Sequence, residues 1–413
     1  MGYQQGLSGL AGASNALDVI GNNIANANTV GFKSSTAQFS DMYANSIATS
    51  VNTQIGIGTA LASVQQQFGQ GTINTTNSSL DVAINGNGFF QMSNNGTITY
   101  TRDGTFQRDK NGYIVNSQGL NLMGYAADKN GVINTAQTVP LQAPTTNIAP
   151  TATTKITGQF NLNSQDTVPT KTPFDANDTT TYNYSTSIQV YDSLGGSQAV
   201  NIYFVKSAAG TWEAYAGVQG GTTNDLGTIK FDSSGAISGT TTGSPATPTA
   251  ALGQFQFTVP NTDGSATPQT LTLDLTGTTQ YGGKDGVNNL AQDGYASGTL
   301  TTFTIGTDGK LTGNYSNGQT AVLGQIALAN FNNPNGLVNI GGNQYAETAA
   351  SGVPQISVPG STNHGTLQGS ALENSNVDLT SQLVNLITAQ RNYQANAQTI
   401  KTQQTVDQTL INL

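Results

Sequence analysis

Two apolar helical stripes, one at each end of the chain, restrict this sequence more than any other feature. Near the start, Leu10, Ala13, Leu17, Ile20, Ile24 and Ala27 follow alternating steps of three and four, the spacing of a coiled-coil seam. Near the end, Leu379, Leu383, Leu386, Tyr393, Ala397 and Ile400 keep the same rhythm, with Gln390 in the one polar slot; Val406, Leu410 and Leu413 continue it after a slip of one residue. At 1.5 Å per residue the first helix runs about 35 Å and the second, from Asn376 onward, about 55 Å, longer than a small domain is wide. Thin stripes of that length are expected to pack against copies of themselves; an ordinary intramolecular hairpin is the alternative. The first helix also carries four asparagines, Asn22, Asn23, Asn26 and Asn28, although asparagine competes with the helix for backbone hydrogen bonds. Asn22, Asn23 and Asn26 are expected to bond across a seam and select one register, as polar seam residues do. Asn28, beside Thr29 and Gly31, is expected at the exposed helix end.

Between the ends the pattern changes to short strands. "TFQRDKNGYIVNSQGLNLMGY" and "TFTIGTDGKLTGNYSNGQTAVLGQIAL" share one rhythm of strands and Asn-Gly or Asp-Gly turns. They lie far apart in the chain, so strands from both are expected in one domain, with the intervening chain inserted. The insert begins near the Pro/Thr-rich "VPLQAPTTNIAPTATT" and contains "SIQVYDSLGGSQAVNIYFV", a hairpin signal with alternating apolar residues on both sides of Leu-Gly-Gly. The stretch from Thr29 to Gln70, with Phe39, Met42, Tyr43, Ile47, Val51, Ile55, Ile57, Leu61, Val64 and Phe68, fits neither class. It is read as an extended connector that can hold a β-hairpin.

Composition removes most chemistry. The 413 residues include no cysteine and one histidine, His364, in the polar loop "GSTNHGTLQGS"; a solvated loop residue is its expected role, and thiolate and His-based metal sites are excluded. Charged residues are 8%, against a usual share of about 25%. Net charge is -9 with arginine only at 102, 108 and 391, which leaves no basic patch for nucleic acid. No apolar run approaches a membrane span, and the N-terminus lacks a basic region followed by an apolar core, so export without a cleaved signal is expected. "GNGFF" and "GGSQAV" lack the strand–turn–helix context of a phosphate loop. The Asp103 and Asp109 turns do not match an EF-hand. With glutamate only at 213, 347 and 373, nothing marks out a catalytic pair. No catalytic, cofactor or metal site is expected, and the chain reads as a non-enzyme.

"SGLAGASNALDVIGNNIANANTVGFKSS", "LDVAINGNGFFQM" followed by "YTRDGTFQRDKNGYIVNSQGLNLMGY", and "LQGSALENSNVDLTSQLVNLITAQRNYQANAQTIKTQQTVDQTLINL" resemble the conserved parts of bacterial flagellar rod and hook axial proteins. They cover both ends and the inner β region, roughly half the chain, and the long insert is similar to that of the hook members. The resemblance implies a multidomain fold: an α-helical coiled coil formed by the N- and C-terminal helices, plus two mainly-β domains, the outer one inserted in the inner one. The expected division is 1–28 with 371–413 for the axial coiled coil, 29–71 with 360–370 for the connector, 72–146 with 292–359 for the inner β domain and 147–291 for the outer one.

The resemblance also implies a homopolymeric, curved, flexible tube in the extracellular part of the flagellum. Such a tube acts as a universal joint between rod and filament around a central export channel. The implied partners are copies of the chain itself, the distal rod protein, the hook cap protein, the hook–filament junction protein and the flagellar type III export apparatus, with no nucleic acid and no membrane insertion. The stripe residues, with Asn22, Asn23 and Asn26, would form the polymer interface, and Thr29, Val30, Gly31, Phe32 and Lys33 a connector motif. A distal rod subunit and a secreted β-rich adhesin or glycan-binding protein are the alternatives.

Overall fold

The structure, a computed structural model, describes residues 2–42, 56–128, 130–144, 146–243, 247–248, 251–261 and 263–411. Tyr43, Ile47, Val51, Ile55 and Leu413, named above as apolar positions, lie outside them. The chain divides into two compact units. One holds residues 1–145, 301–314 and 320–413; the other holds 146–300 and 315–319.

In the first unit, helix α1 spans Gly2–Ala25 and helix α2 spans Leu379–Ile411. Asp378 starts α2: its Oδ1 accepts the backbone N–H groups of Thr380 (2.9 Å) and Ser381 (3.3 Å), satisfying donors that a helix start leaves unpaired. Among the described residues, no helix is long and apolar enough to cross a membrane. α1 packs on α2 through small residues. A Cβ on Gly9 would stand 2.7 Å from Asn396 Oδ1, and one on Gly6 would stand 3.0 Å from Ile400 Cγ1. Glycine costs a helix about 1 kcal/mol per residue; here it permits the close approach.

The connector does form a hairpin. Strand β1 (Ser35–Met42) pairs antiparallel with strand β2 (Gly58–Gln66), from Ser35 opposite Gln66 to Met42 opposite Gly58. Past its end, Phe68 meets Phe89 and Tyr345 edge-on, with ring centroids 5.4 Å away in each case. This ties the connector into a small aromatic core with Tyr100, Phe331 and Leu337.

The main sheet of this unit draws strands from both turn-rich blocks. Asn121–Ala126 pairs with Thr320–Ile326 on one side and with Phe89–Asn94 on the other. Its core is Ile84, Phe90, Met92, Leu122, Leu311, Ile326 and Leu328, all but closed to solvent. Phe90 and Met92 enter this core while Phe89 enters the aromatic one, so the strand Phe89–Asn94 is covered on both faces.

Among the described residues, the second unit has two sheets. The Leu-Gly-Gly hairpin pairs Tyr184–Tyr191 with Ser197–Ala208, Ile188 opposite Val200, in a six-stranded sheet. The other sheet has five strands, with Lys155–Asn163 parallel to Gln269–Asp274. Residues from both, including Trp212, Phe204, Phe160, Phe255 and Leu273, build one core.

Candidate assembly interface

The connector motif is a junction between the two chain ends. Beyond α1 the backbone turns through Gly31 at φ +68°. A Cβ there would lie 2.6 Å from Asp103 N and 2.8 Å from the Arg102 carbonyl carbon, so both the dihedral and the packing require glycine. Gly31 N–H donates to the Glu373 carbonyl at 2.8 Å. Phe32 and Lys33 are buried, while Thr29 and Val30 are half-buried. The Val30 carbonyl accepts from Asn343 Nδ2.

Lys33 Nζ lies 2.7 Å from Glu373 Oε1, with both side chains fully enclosed, and donates to the Gly69 carbonyl. Glu373 Oε2 takes Arg102 Nη1 at 3.2 Å, and its Oε1 takes the Gly71 N–H at 2.8 Å. Burial pulls the Lys33 ammonium below its usual pKa; Glu373 opposes the shift and the Arg102 charge adds to it. Burial likewise lowers Arg102, against the pull of Glu373. Composition singles out Glu373 only as one of three glutamates; nothing local names its partners.

Two asparagines clamp the base of β1. Asn23, closed to solvent, uses its amide like a backbone: Oδ1 accepts from Ser35 N (2.9 Å) and Nδ2 donates to Ser35 O (2.8 Å). It also reaches Gln382 Oε1 on α2 at 3.4 Å. Asn376 accepts from Ser34 N (2.8 Å) and donates to the carbonyls of Gln67 (2.7 Å) and Gly69 (3.1 Å). The amide of Asn23 therefore serves the connector of its own chain, a role that its place in the stripe did not announce. Asn26, half-buried, donates to O and Oδ1 of the exposed Asn22 one turn back and accepts from Thr29 Oγ1 at 3.1 Å. Asn28 is exposed.

The stripe residues separate by exposure. Ala13 is buried, and Leu10, Leu17, Ile20, Ile24 and Ala27 are half-buried along α1. On α2, Leu386, Ala397 and Ile400 are half-buried, but Leu379, Leu383 and Tyr393 are exposed, as are Val384, Ile387, Val406, Leu410 and Ile411. The α2 residues that meet α1 include Gln382, Asn396 and Ile400. Of the 33 residues of α2, Ala389 alone is buried. Five threonines, at 388, 399, 402, 405 and 409, return their hydroxyls to carbonyls four residues back, so their polar atoms are satisfied within the helix. The hairpin adds exposed Phe39, Met42, Leu61 and Val64.

His364 is half-buried rather than fully solvated: its Nε2 lies 2.9 Å from the Gln355 carbonyl and holds the loop. Asp109 closes its turn by accepting the N–H groups of Asn111 and Tyr113. Among the described residues, no group of three or more His, Cys, Asp or Glu is arranged to hold a metal.

The chain is similar to flagellar proteins along its whole length. Residues 4–33 match the profile of a flagella basal body rod protein, and residues 83–190 that of the flagellar hook protein FlgE/F/G D1 domain. Residues 161–295 match the flagellar basal body protein FlaE D2 domain, and 368–413 the flagellar basal body rod FlgEFG protein C-terminal region. The sequence is 42% identical to the flagellar hook protein FlgE of Salmonella typhimurium, over the full length of both chains. It is 33% identical to that of Treponema pallidum, over 99% of this chain and 98% of the relative. The crystal structure of Helicobacter pylori flagellar hook protein FlgE2 superposes with a TM-score of 0.50 at 16% identity, covering 73% of this chain and 100% of that one, a likeness of fold.

Proposed function

The chain belongs to the flagellar hook protein family, and from that premise we propose how it assembles and works. It is a structural subunit of the extracellular flagellar hook and not an enzyme. In this reading subunits polymerise through α1 and α2 into a coiled-coil layer around an export channel, and the tube acts as a universal joint. The division into axial helices, connector, inner β domain and inserted outer domain, with the bounds expected above, is part of the same proposal. So are contacts with the distal rod, hook cap and hook–filament junction proteins and passage through the type III export apparatus.

The observation that carries it is the open apolar face of α2. A helix of this length gains most of its stability from burying a face, and α2 buries a single residue. Its exposed Leu379, Leu383, Ile387 and Tyr393 leave an apolar strip for other copies to cover. The same thinness suggests that the ends order fully only on assembly, with concentration-dependent stability. Circular dichroism of dilute monomer showing complete terminal helicity would count against that ordering step.

Negative-stain microscopy of concentrated protein tests assembly. Wild type is expected to form curved tubes. L383D combined with I387D is expected to stay monomeric with its β units folded. Tubes from the double variant would end the proposal.

A further inference from the structure

The junction carries more positive than negative charge. Lys33 and Arg102 are both closed to solvent, and among the described residues Glu373 is the sole carboxylate within ion-pair distance of either. One buried positive charge is left over, and an uncompensated buried charge is costly. The Arg102 guanidinium has five N–H donors. Nη1 meets Glu373 and Nη2 donates to the Gly86 carbonyl at 2.8 Å, while Nε has no partner. The guanidinium carbon lies 5.4 Å from the centre of the Phe89 ring. Arg102 also lines a cavity of about 330 Å³, with Phe68, Phe89 and Phe331 as apolar walls and Asn87, Asn330 and Asn363 as polar ones.

We propose that this cavity is a binding site for one carboxylate, held against the Arg102 guanidinium. The surplus is a single charge, which a carboxylate neutralises without excess. A planar carboxylate also matches the guanidinium fork, and the phenyl walls accept an aliphatic stem. Two sources share this chemistry: a free carboxylate in solution, and an Asp or Glu side chain of a second copy of this chain. The second source rests on the polymer reading; the first does not.

The test uses the full chain, first as dilute monomer, with ¹³C-acetate binding followed by NMR at constant ionic strength set with chloride. Saturable binding is expected, weakened at least tenfold by R102M and by N363W. R102M leaves Lys33 and Glu373 as a balanced pair. N363W crowds the cavity from an exposed position and leaves the ion cluster intact, so it decides the matter if R102M folds poorly. No saturable binding to wild type, or wild-type binding by the folded variants, overturns the proposal. Repeating the titration on assembled tubes separates the sources. Acetate that still binds identifies a free-anion site; acetate excluded from tubes identifies a neighbour's carboxylate. If no tubes form, the polymer reading fails while the monomer result stands.

Discussion

Lys33 Nζ and Glu373 Oε1 meet at 2.7 Å inside the protein, although 340 positions separate them in the chain. With Gly31 N–H on the Glu373 carbonyl, this pair ties the exit of α1 to the approach of α2.

Removing the carboxylate should cost more than removing the lysine. E373Q leaves two buried cations without a counter-charge and is expected to destabilise the first unit by about 3–5 kcal/mol. K33M leaves Arg102 and Glu373 balanced and is expected to cost less than about 2 kcal/mol, since it strands no buried charge. Urea unfolding followed by a probe in the first unit reads both, and equal losses would contradict the charge assignment.

Glycine position should decide the sign of a Gly→Ala change. G31A places a Cβ against backbone at positive φ and is expected to lose at least about 2 kcal/mol. G21A, where a Cβ meets nothing within 4 Å, is expected to gain about 0.5–1 kcal/mol of helix stability. Thermal melts of the two variants should move in opposite directions.

The asparagines should differ as their surroundings do. N23A leaves the Ser35 N–H and carbonyl without their amide partner in a closed site and is expected to cost about 1–3 kcal/mol. N22A, on the open face, should change stability by less than about 0.5 kcal/mol. Hydrogen exchange at Ser35 should accelerate in the first variant alone.

Acid should weaken the second unit through Asp274. Burial pushes this carboxyl up, but bonds from Lys155 (2.8 Å) and from Thr276 outweigh it and hold the pKa at about 2. The folded value lies below the unfolded one, so the stabilisation is full above about pH 4 and is lost as pH falls toward about 2. Lys155 is half open to water, so screening limits the effect to about 1–2 kcal/mol. D274N should flatten that part of the pH profile; a profile unchanged from wild type would exclude the pair as its source.

Much of the fold was legible because its signals are local. The step of three and four marked both helices, although α2 begins at Leu379 rather than at Asn376, and Leu-Gly-Gly marked the hairpin that pairs Ile188 with Val200. The face of α2 was less legible. Spacing put Leu379, Leu383, Leu386, Tyr393, Ala397 and Ile400 on one seam; in the chain Ile400 does approach α1, but it is joined there by Asn396 and Gln382, which lie off that seam. A weakly apolar helix rich in Gln, Asn and Thr offers several stripes of similar strength, and glycines on the partner helix let polar residues come close. Asn23 was conspicuous for its residue type, yet its partner Ser35 lies past a turn whose path no periodicity encodes.

By itself the sequence determined the helical ends, the β-rich middle and the absence of cysteine and of all but one histidine, because periodicity and composition act over a few residues or none at all. Only the tertiary structure decided that Lys33 and Arg102 converge on Glu373, and that Asn23 and Asn376 grip the base of one strand. Those contacts exist because distant segments are brought together by burial, and inside a low-dielectric interior each unpaired polar group must find whichever partner the folding brings within reach.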